Sequence, residues 1–165
     1  MSAMTCADTN SASWLKCPPP EYTIRLNSAG LPFFVHKKAL IPESAKVGDY
    51  TYFHGNIRVT GSKVLTVGSY CSIANDVSIH CGDNHQLSYL STFPLKTVLG
   101  FDTQCACVTG EAVSIGSDVW VGEGSRFLSG STISSGAVIG AGSVVRGFVP
   151  PFAVAIGNPA TVVRY

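Results

Sequence analysis

Charged residues are scarce in this sequence: Asp, Glu, Lys and Arg make up 13% of its 165 residues, whereas soluble proteins average about 25%. The chain has 11 Lys and Arg against 10 Asp and Glu, which gives a formal net charge of +1. It therefore lacks the overall basic field of proteins that bind nucleic acid or anionic membranes. Because 45% of its residues are hydrophobic, the chain can bury a core, and extensive disorder is not expected.

Long apolar runs are absent as well. No stretch approaches the roughly 18–20 consecutive apolar residues of a membrane helix, and the N-terminus has no charged start followed by an apolar run. We therefore expect a single cytoplasmic domain with no membrane partner. The six cysteines include no Cys-x-x-Cys pair, so a structural zinc site is not predicted, and free thiols are favoured over disulfides.

A period of six residues dominates the second half of the sequence. Apolar residues occupy the first position of six successive hexads, and small residues recur four positions later. The first positions are Ile115, Val121, Phe127, Ile133, Ile139 and Val145. A helix repeats apolar residues every three to four positions and a simple strand every two, so neither fits. The period predicts an all-β chain, a parallel β-helix in which three hexads make one triangular coil.

The repeat has one interruption and one flank that lies outside it. The same register extends upstream to Val67, Ile73 and Ile79, and weakly to Val47 and Phe53. Residues 83–108 have no six-residue pattern and are predicted to form a long loop, which in repeat proteins often lies on the binding face. Residues 1–46 are expected to be a partly extended or mobile lead-in, and the repeat domain is predicted to span residues 47–165.

The hexads resemble those of the left-handed β-helix acyltransferases. A more specific motif stands at the start of the loop, where Asn84-His85 is followed by Ser91-Thr92-Phe93-Pro94. This block is similar to the signature of the xenobiotic acetyltransferases, the group of type-B chloramphenicol and streptogramin acetyltransferases. The similarity covers about residues 47–165. It implies left-handed coiling, a homotrimer, and acetyl-CoA bound as co-substrate between neighbouring subunits, with no metal.

The same resemblance makes His85 the candidate catalytic residue. Acetyl transfer to a hydroxyl or amine needs a base that removes the acceptor's proton, and histidine suits this task near neutral pH. No cysteine lies in a recognisable nucleophile context, so direct transfer within a ternary complex is expected. The candidates for acceptor binding are Tyr50, Tyr52, His54, Asp83 and Asn84.

The resemblance also implies where acetyl-CoA binds. A tryptophan follows the loop in the family, small residues leave room for pantetheine, and basic residues in the last coils can contact the phosphates. Arg146 and Arg164 are the only arginines or lysines after Arg126. The cofactor-binding candidates are Trp120, Gly122, Gly140, Ala141, Gly142, Arg146, Asn158, Pro159 and Arg164.

Other functions stay open at this point. His54, His80 and His85 could form the three-histidine zinc site of a gamma carbonic anhydrase-like hydratase, although His85 stands at the start of the loop and not within a hexad. A non-catalytic trimeric scaffold is a third reading, but it has no use for the Asn-His…Ser-Thr-Phe-Pro motif. For an acetyltransferase, the acceptor could be a sugar, a nucleotide-linked sugar or an antibiotic.

Overall fold

The computed structural model describes residues 19–85, 87, 91–101 and 110–165. These residues form seventeen strands and one short helix, α1 (Leu95–Val98). The chain begins with β1 (Tyr22–Leu26) and β2 (Pro32–His36), which pair as an antiparallel hairpin. The next strands are β3 (Lys46–Val47), β4 (Tyr52–Phe53), β5 (Arg58–Thr60), β6 (Thr66–Val67), β7 (Ser72–Ile73) and β8 (Ser78–His80). After the helix come β9 (Ser114–Ile115), β10 (Trp120–Val121), β11 (Arg126–Phe127), β12 (Thr132–Ile133), β13 (Val138–Ile139), β14 (Val144–Val145), β15 (Phe148–Val149), β16 (Val154–Gly157) and β17 (Ala160–Arg164).

Three sheets form the faces of a triangular prism. The first sheet has the order β1-β2-β4-β7-β10-β13-β16-β17, the second β14-β11-β8-β5, and the third β15-β12-β9-β6-β3. Strands three apart in the chain pair in parallel, so each coil gives one strand to each sheet. The hexad period arises because one six-residue unit supplies one strand and one turn. The predicted parallel β-helix is confirmed.

The core lies along the prism axis. The apolar first position of each hexad is the inward residue of a strand, and Val121, Phe127 and Ile139 are at most 1% exposed. The small residue four positions later is buried too, and at Ser125 its hydroxyl donates to the carbonyl oxygens of Gly122 and Gly140 at 2.8 and 3.1 Å. A small polar residue is tolerated there because its hydroxyl finds acceptors on its own coil and on the next.

Residues 19–46 take part in strand pairing. β2 pairs in parallel with β4, Leu40 forms a bridge with Arg58, and β3 pairs with β6. Residues 32–47 therefore already form a coil upstream of residue 47, the start expected for the repeat domain. Residues 1–18, the first part of the expected lead-in, lie outside the described residues.

The expected loop leaves the prism between the second and third sheets, after β8 and before β9. It contains α1, while residues 86, 88–90 and 102–109 lie outside the described part. Of the cysteines, Cys71 and Cys81 are free and buried, and burial raises the pKa of both thiols. No helix among the described residues has the length and apolar character needed to cross a membrane.

Candidate active site

His85 stands just beyond the end of β8, where the chain turns out of the prism. The root of this turn is fixed to the preceding coil by two hydrogen bonds. The Lys63 amide donates to the Cys81 carbonyl at 2.9 Å, and the Ser62 hydroxyl donates to the Asp83 carboxylate at 2.6 Å. His85 itself is exposed. Its ring is therefore accessible to a ligand while the backbone that carries it is anchored.

One hydrogen bond sets the tautomer of His85. Its Nδ1 lies 2.9 Å from the carbonyl oxygen of Thr92. A carbonyl oxygen can only accept, so Nδ1 carries the proton and the neutral ring keeps an unshared electron pair on Nε2. Thr92 belongs to the Ser-Thr-Phe-Pro segment, which is itself bent by the Phe93 amide donating to the Ser91 hydroxyl at 3.1 Å. The structure thus joins the two halves of the motif and leaves Nε2 available as a base.

Asp83 and Asn84 lie next to His85 in the chain, but the first has a local task. Asp83 adopts φ 60°, a left-handed conformation that suits a turn. Its carboxylate accepts the hydrogen bond from Ser62 described above. Asn84 is exposed between Asp83 and His85.

The other acceptor-side candidates lie on a different face of this chain. Tyr52 projects from β4 in the first sheet, whereas β8 belongs to the second. Tyr50 lies in the preceding turn with φ 55°, and its ring stacks on Tyr70 with centroids 5.6 Å apart. His54 Nδ1 shares a hydrogen bond with the Tyr22 hydroxyl, whose pKa is raised by burial. Within one chain, the structure does not bring these residues to His85.

The small-residue candidates for pantetheine binding share one corner of the prism. A Cβ on Gly122 would lie 2.5 Å from the Ala141 amide nitrogen of the next coil, so glycine is needed there for close coil stacking. A Cβ on Gly140 would meet Ile156, while Gly142 has open space around it. Because these residues have small side chains or none, no long side chain projects from the surface along them. At Gly122, the close stacking of the coils is enough to explain the glycine.

The remaining cofactor candidates lie at separate places on the prism. Trp120 is 60% exposed on β10 of the first sheet. Arg164 lies on β17, paired opposite Val154 at the edge of the same sheet. Arg146 follows β14 in the second sheet, so the structure does not bring the two arginines together. Asn158 and Pro159 form the turn between β16 and β17, and the peptide bond between them is cis.

The three histidines of the zinc alternative have separate partners. His54 contacts Tyr22, His80 Nδ1 lies 3.0 Å from the Thr60 hydroxyl, and His85 contacts Thr92. In the part of the chain that the structure describes, no three His, Cys, Asp or Glu side chains cluster as metal ligands would.

Two exposed arginines, Arg58 and Arg126, are not among the candidates that the sequence motifs indicate. Each directly precedes the inward residue of its strand, Val59 and Phe127, so the hexad register already predicts that its side chain points outward. What the sequence does not show is that both flank β8, the strand that leads to His85.

Comparison with known proteins agrees with this architecture. Residues 112–147 match the family described as bacterial transferase hexapeptide (six repeats). The chain is 33% identical over 138 residues to a chloramphenicol acetyltransferase of Agrobacterium fabrum, covering 72% of this chain and 66% of that protein. It is 33% identical over 107 residues to a probable macrolide acetyltransferase of Lysinibacillus sphaericus, covering 61% of this chain and 59% of that protein.

A solved structure extends the likeness to three dimensions. It is a galactoside acetyltransferase in complex with coenzyme A, with a TM-score of 0.62 and 26% identity, and the match covers 76% of this chain and 60% of that one. The chain spans less than two thirds of the length of each of these three proteins. The repeat, the relatives and the shared fold make this chain a hexapeptide-repeat protein with the left-handed β-helix of the acetyltransferases that it resembles.

Proposed function

We propose that this protein is an acetyl-CoA-dependent acetyltransferase in which His85 is the general base. The observation that carries the proposal is the hydrogen bond from His85 Nδ1 to the Thr92 carbonyl, because it leaves Nε2 able to take a proton. The acetyltransferase relatives support the activity, and the neighbour solved with coenzyme A supports the co-substrate.

The reaction proceeds by direct transfer. Nε2 of His85 removes the proton from an acceptor hydroxyl or amine while the acceptor's oxygen or nitrogen attacks the thioester carbonyl carbon. The tetrahedral intermediate collapses, the carbon–sulfur bond breaks, and the imidazolium returns the proton to the departing thiolate. The products are the acetylated acceptor and free CoA.

The acceptor is a sugar, a nucleotide-linked sugar or an antibiotic. The names of the relatives include chloramphenicol, macrolide and galactoside enzymes, which supports small hydroxyl-bearing molecules as a class. Release of free CoA should be measured against a panel of antibiotics, simple sugars and nucleotide-linked amino sugars. CoA release with at least one acceptor above the rate of thioester hydrolysis supports the proposal. Zinc-dependent activity without any CoA release would contradict it.

We expect the protein to be a homotrimer in solution. The flat outer faces of the prism can pack against copies of themselves around a threefold axis, and residues such as Tyr50 and Tyr52 then approach His85 only from a neighbouring subunit. Light scattering should give three times the chain mass. A fully active monomer would contradict a site built between subunits.

We expect Arg146 or Arg164 to contact the phosphates of acetyl-CoA. Each is tested separately, because Arg146 lies in the turn after β14 whereas Arg164 lies on β17 of the first sheet. A partly exposed charge-assisted contact contributes roughly 1–2 kcal/mol, so alanine at the contacting position should raise the KM for acetyl-CoA about 5–30-fold. Since the contact persists in the transition state, kcat should change little.

The donor 3′-dephospho-acetyl-CoA is the control for this prediction. A variant that has lost a contact to the 3′-phosphate should no longer distinguish the two donors. If both variants discriminate as well as the wild type, the two arginines are surface residues and the cofactor assignment is wrong.

A further inference from the structure

An arginine lies on each side of a serine on the outer face of the second sheet. Arg58 pairs with Ser78 across β5 and β8, and Ser78 pairs with Arg126 across β8 and β11. Their side chains therefore project from one row of the sheet, with a hydroxyl between two guanidinium groups. We call these three residues the arginine row.

Both guanidinium groups are available to a ligand. Arg58 and Arg126 are exposed, and the guanidinium group of neither forms a hydrogen bond or an ion pair with a described residue. Two strand spacings separate their Cα atoms by about 10 Å, so the two long side chains can converge on one group above Ser78. The planar fork of arginine matches the oxygens of a phosphate or a carboxylate.

No carboxylate competes for the row from the sheet itself. The outer positions of the second sheet are Arg58, Thr60, Ser78, His80, Arg126 and Val144, and none is acidic. Three acidic residues stand in the turns before or after these strands, and another side chain donates a hydrogen bond to each of them. These pairs are Asn56–Asp76 at 3.0 Å, Asn75–Glu123 at 3.1 Å and Ser62–Asp83 at 2.6 Å.

The middle strand of the row leads directly into the candidate active site. β8 ends at His80, and the chain reaches His85 five residues later. Between them lies Gly82, where an added Cβ would come within 2.8 Å of Lys63 Cγ, so the aliphatic part of the Lys63 side chain lies against this turn. The two arginines and Lys63 therefore lie along the strand and turn that lead from the arginine row toward His85.

We propose that the arginine row binds an anionic group of the acetyl acceptor, a phosphate or a carboxylate carried by a sugar, while the acceptor's hydroxyl reaches His85. The inference rests on the proposed acetyltransferase function and narrows its acceptor from any small hydroxyl compound to an anionic one. It assigns Arg58 and Arg126 to the acceptor, and it leaves Arg146 and Arg164 to acetyl-CoA.

Measurements of sugar binding test whether the arginine row binds an anionic group, and they do not require catalytic turnover. Isothermal titration calorimetry should compare glucose, glucose 1-phosphate and glucuronate as probes. Wild-type protein should bind at least one anionic sugar 10-fold or more tightly than glucose, and Arg58→Gln and Arg126→Gln should each lose most of that difference, as expected for a charge-assisted contact. The preferred probe distinguishes a phosphate from a carboxylate.

Lys46→Gln is the matched control, because it removes one exposed positive charge from the third sheet. It should keep the preference for the anionic probe. Arg58→Lys and Arg126→Lys keep the charge and should retain part of the binding, which separates loss of the contact from loss of the fold.

Three results would overturn the proposal. They are equal affinity of the wild type for glucose and both anionic sugars, an unchanged preference in both glutamine variants, and a weaker affinity of those variants for acetyl-CoA instead of for the sugar. Failure of acetyl transfer with intact anion binding is a different outcome. It contradicts the proposed function while the arginine row stands as an anion site.

Discussion

Replacing His85 with alanine should lower kcat by roughly 10²–10⁴-fold, the usual contribution of a general base. The affinity for acetyl-CoA should change little, because the base acts on the acceptor and the cofactor candidates lie elsewhere on the prism. Steady-state kinetics with the best acceptor, together with acetyl-CoA binding by calorimetry, measures both quantities. Turnover near the wild-type rate would remove His85 from the mechanism.

His80→Ala is the matched control for this experiment. His80 lies five residues away, and its ring bonds to the Thr60 hydroxyl on the neighbouring strand instead of to the loop. A general base at His85 predicts that His80→Ala keeps most of the activity. If His80→Ala and His54→Ala lost as much activity as His85→Ala and also lost bound zinc, the result would instead support the three-histidine hydratase.

Replacing Phe127 with alanine should lower the free energy of unfolding by about 3–5 kcal/mol. Phe127 is 1% exposed and is among the largest fully buried side chains of the described core. Its removal leaves a void on the prism axis, where stacked coils on both sides are hydrogen-bonded in fixed register and cannot collapse into it. Chemical denaturation followed by circular dichroism measures the change.

Phe148→Ala is the control for the core prediction. Phe148 lies on β15 of the following coil and is 64% exposed, because it occupies the outward position of its strand. Its removal deletes the same atoms without opening a cavity, so the change should be well under 1 kcal/mol in the single chain. A loss as large as that of Phe127→Ala would contradict the inward and outward assignment of the hexad positions.

The prism could be predicted from the sequence because each hexad has one inward side chain. The same signal also reaches the first coil, since Val35, Ile41, Val47 and Phe53 are six residues apart and all are buried. The signal is weaker in this coil because the flanking positions carry bulky residues such as Phe33 and Phe34, or Pro42, where the later hexads have glycine and small residues. The six-residue spacing of the buried residues alone places residues 32–47 inside the β-helix.

The site was less accessible to sequence reasoning than the fold. The Asn-His motif indicates His85, but the hydrogen-bond partner of His85 is a backbone carbonyl seven residues away. Every residue has such a carbonyl, so the sequence does not show which one accepts the bond. Arg58 and Arg126 are 68 positions apart in the chain, and only the register of three stacked strands makes them neighbours. A hexad pattern predicts which way a side chain points, whereas strand pairing decides what it meets.

The place where the loop leaves the prism has a consequence for how such a protein can change. β8 and β9 belong to consecutive faces of one coil, and both keep their parallel partners although residues 81–113 intervene. The two ends of that segment, Cys81 and Val113, are buried in the core, whereas β8 and β9 pair with strands of other coils and not with the residues between them. Loops could be exchanged at this corner between related chains, which would alter the acceptor that is recognised while the same core continues to fold.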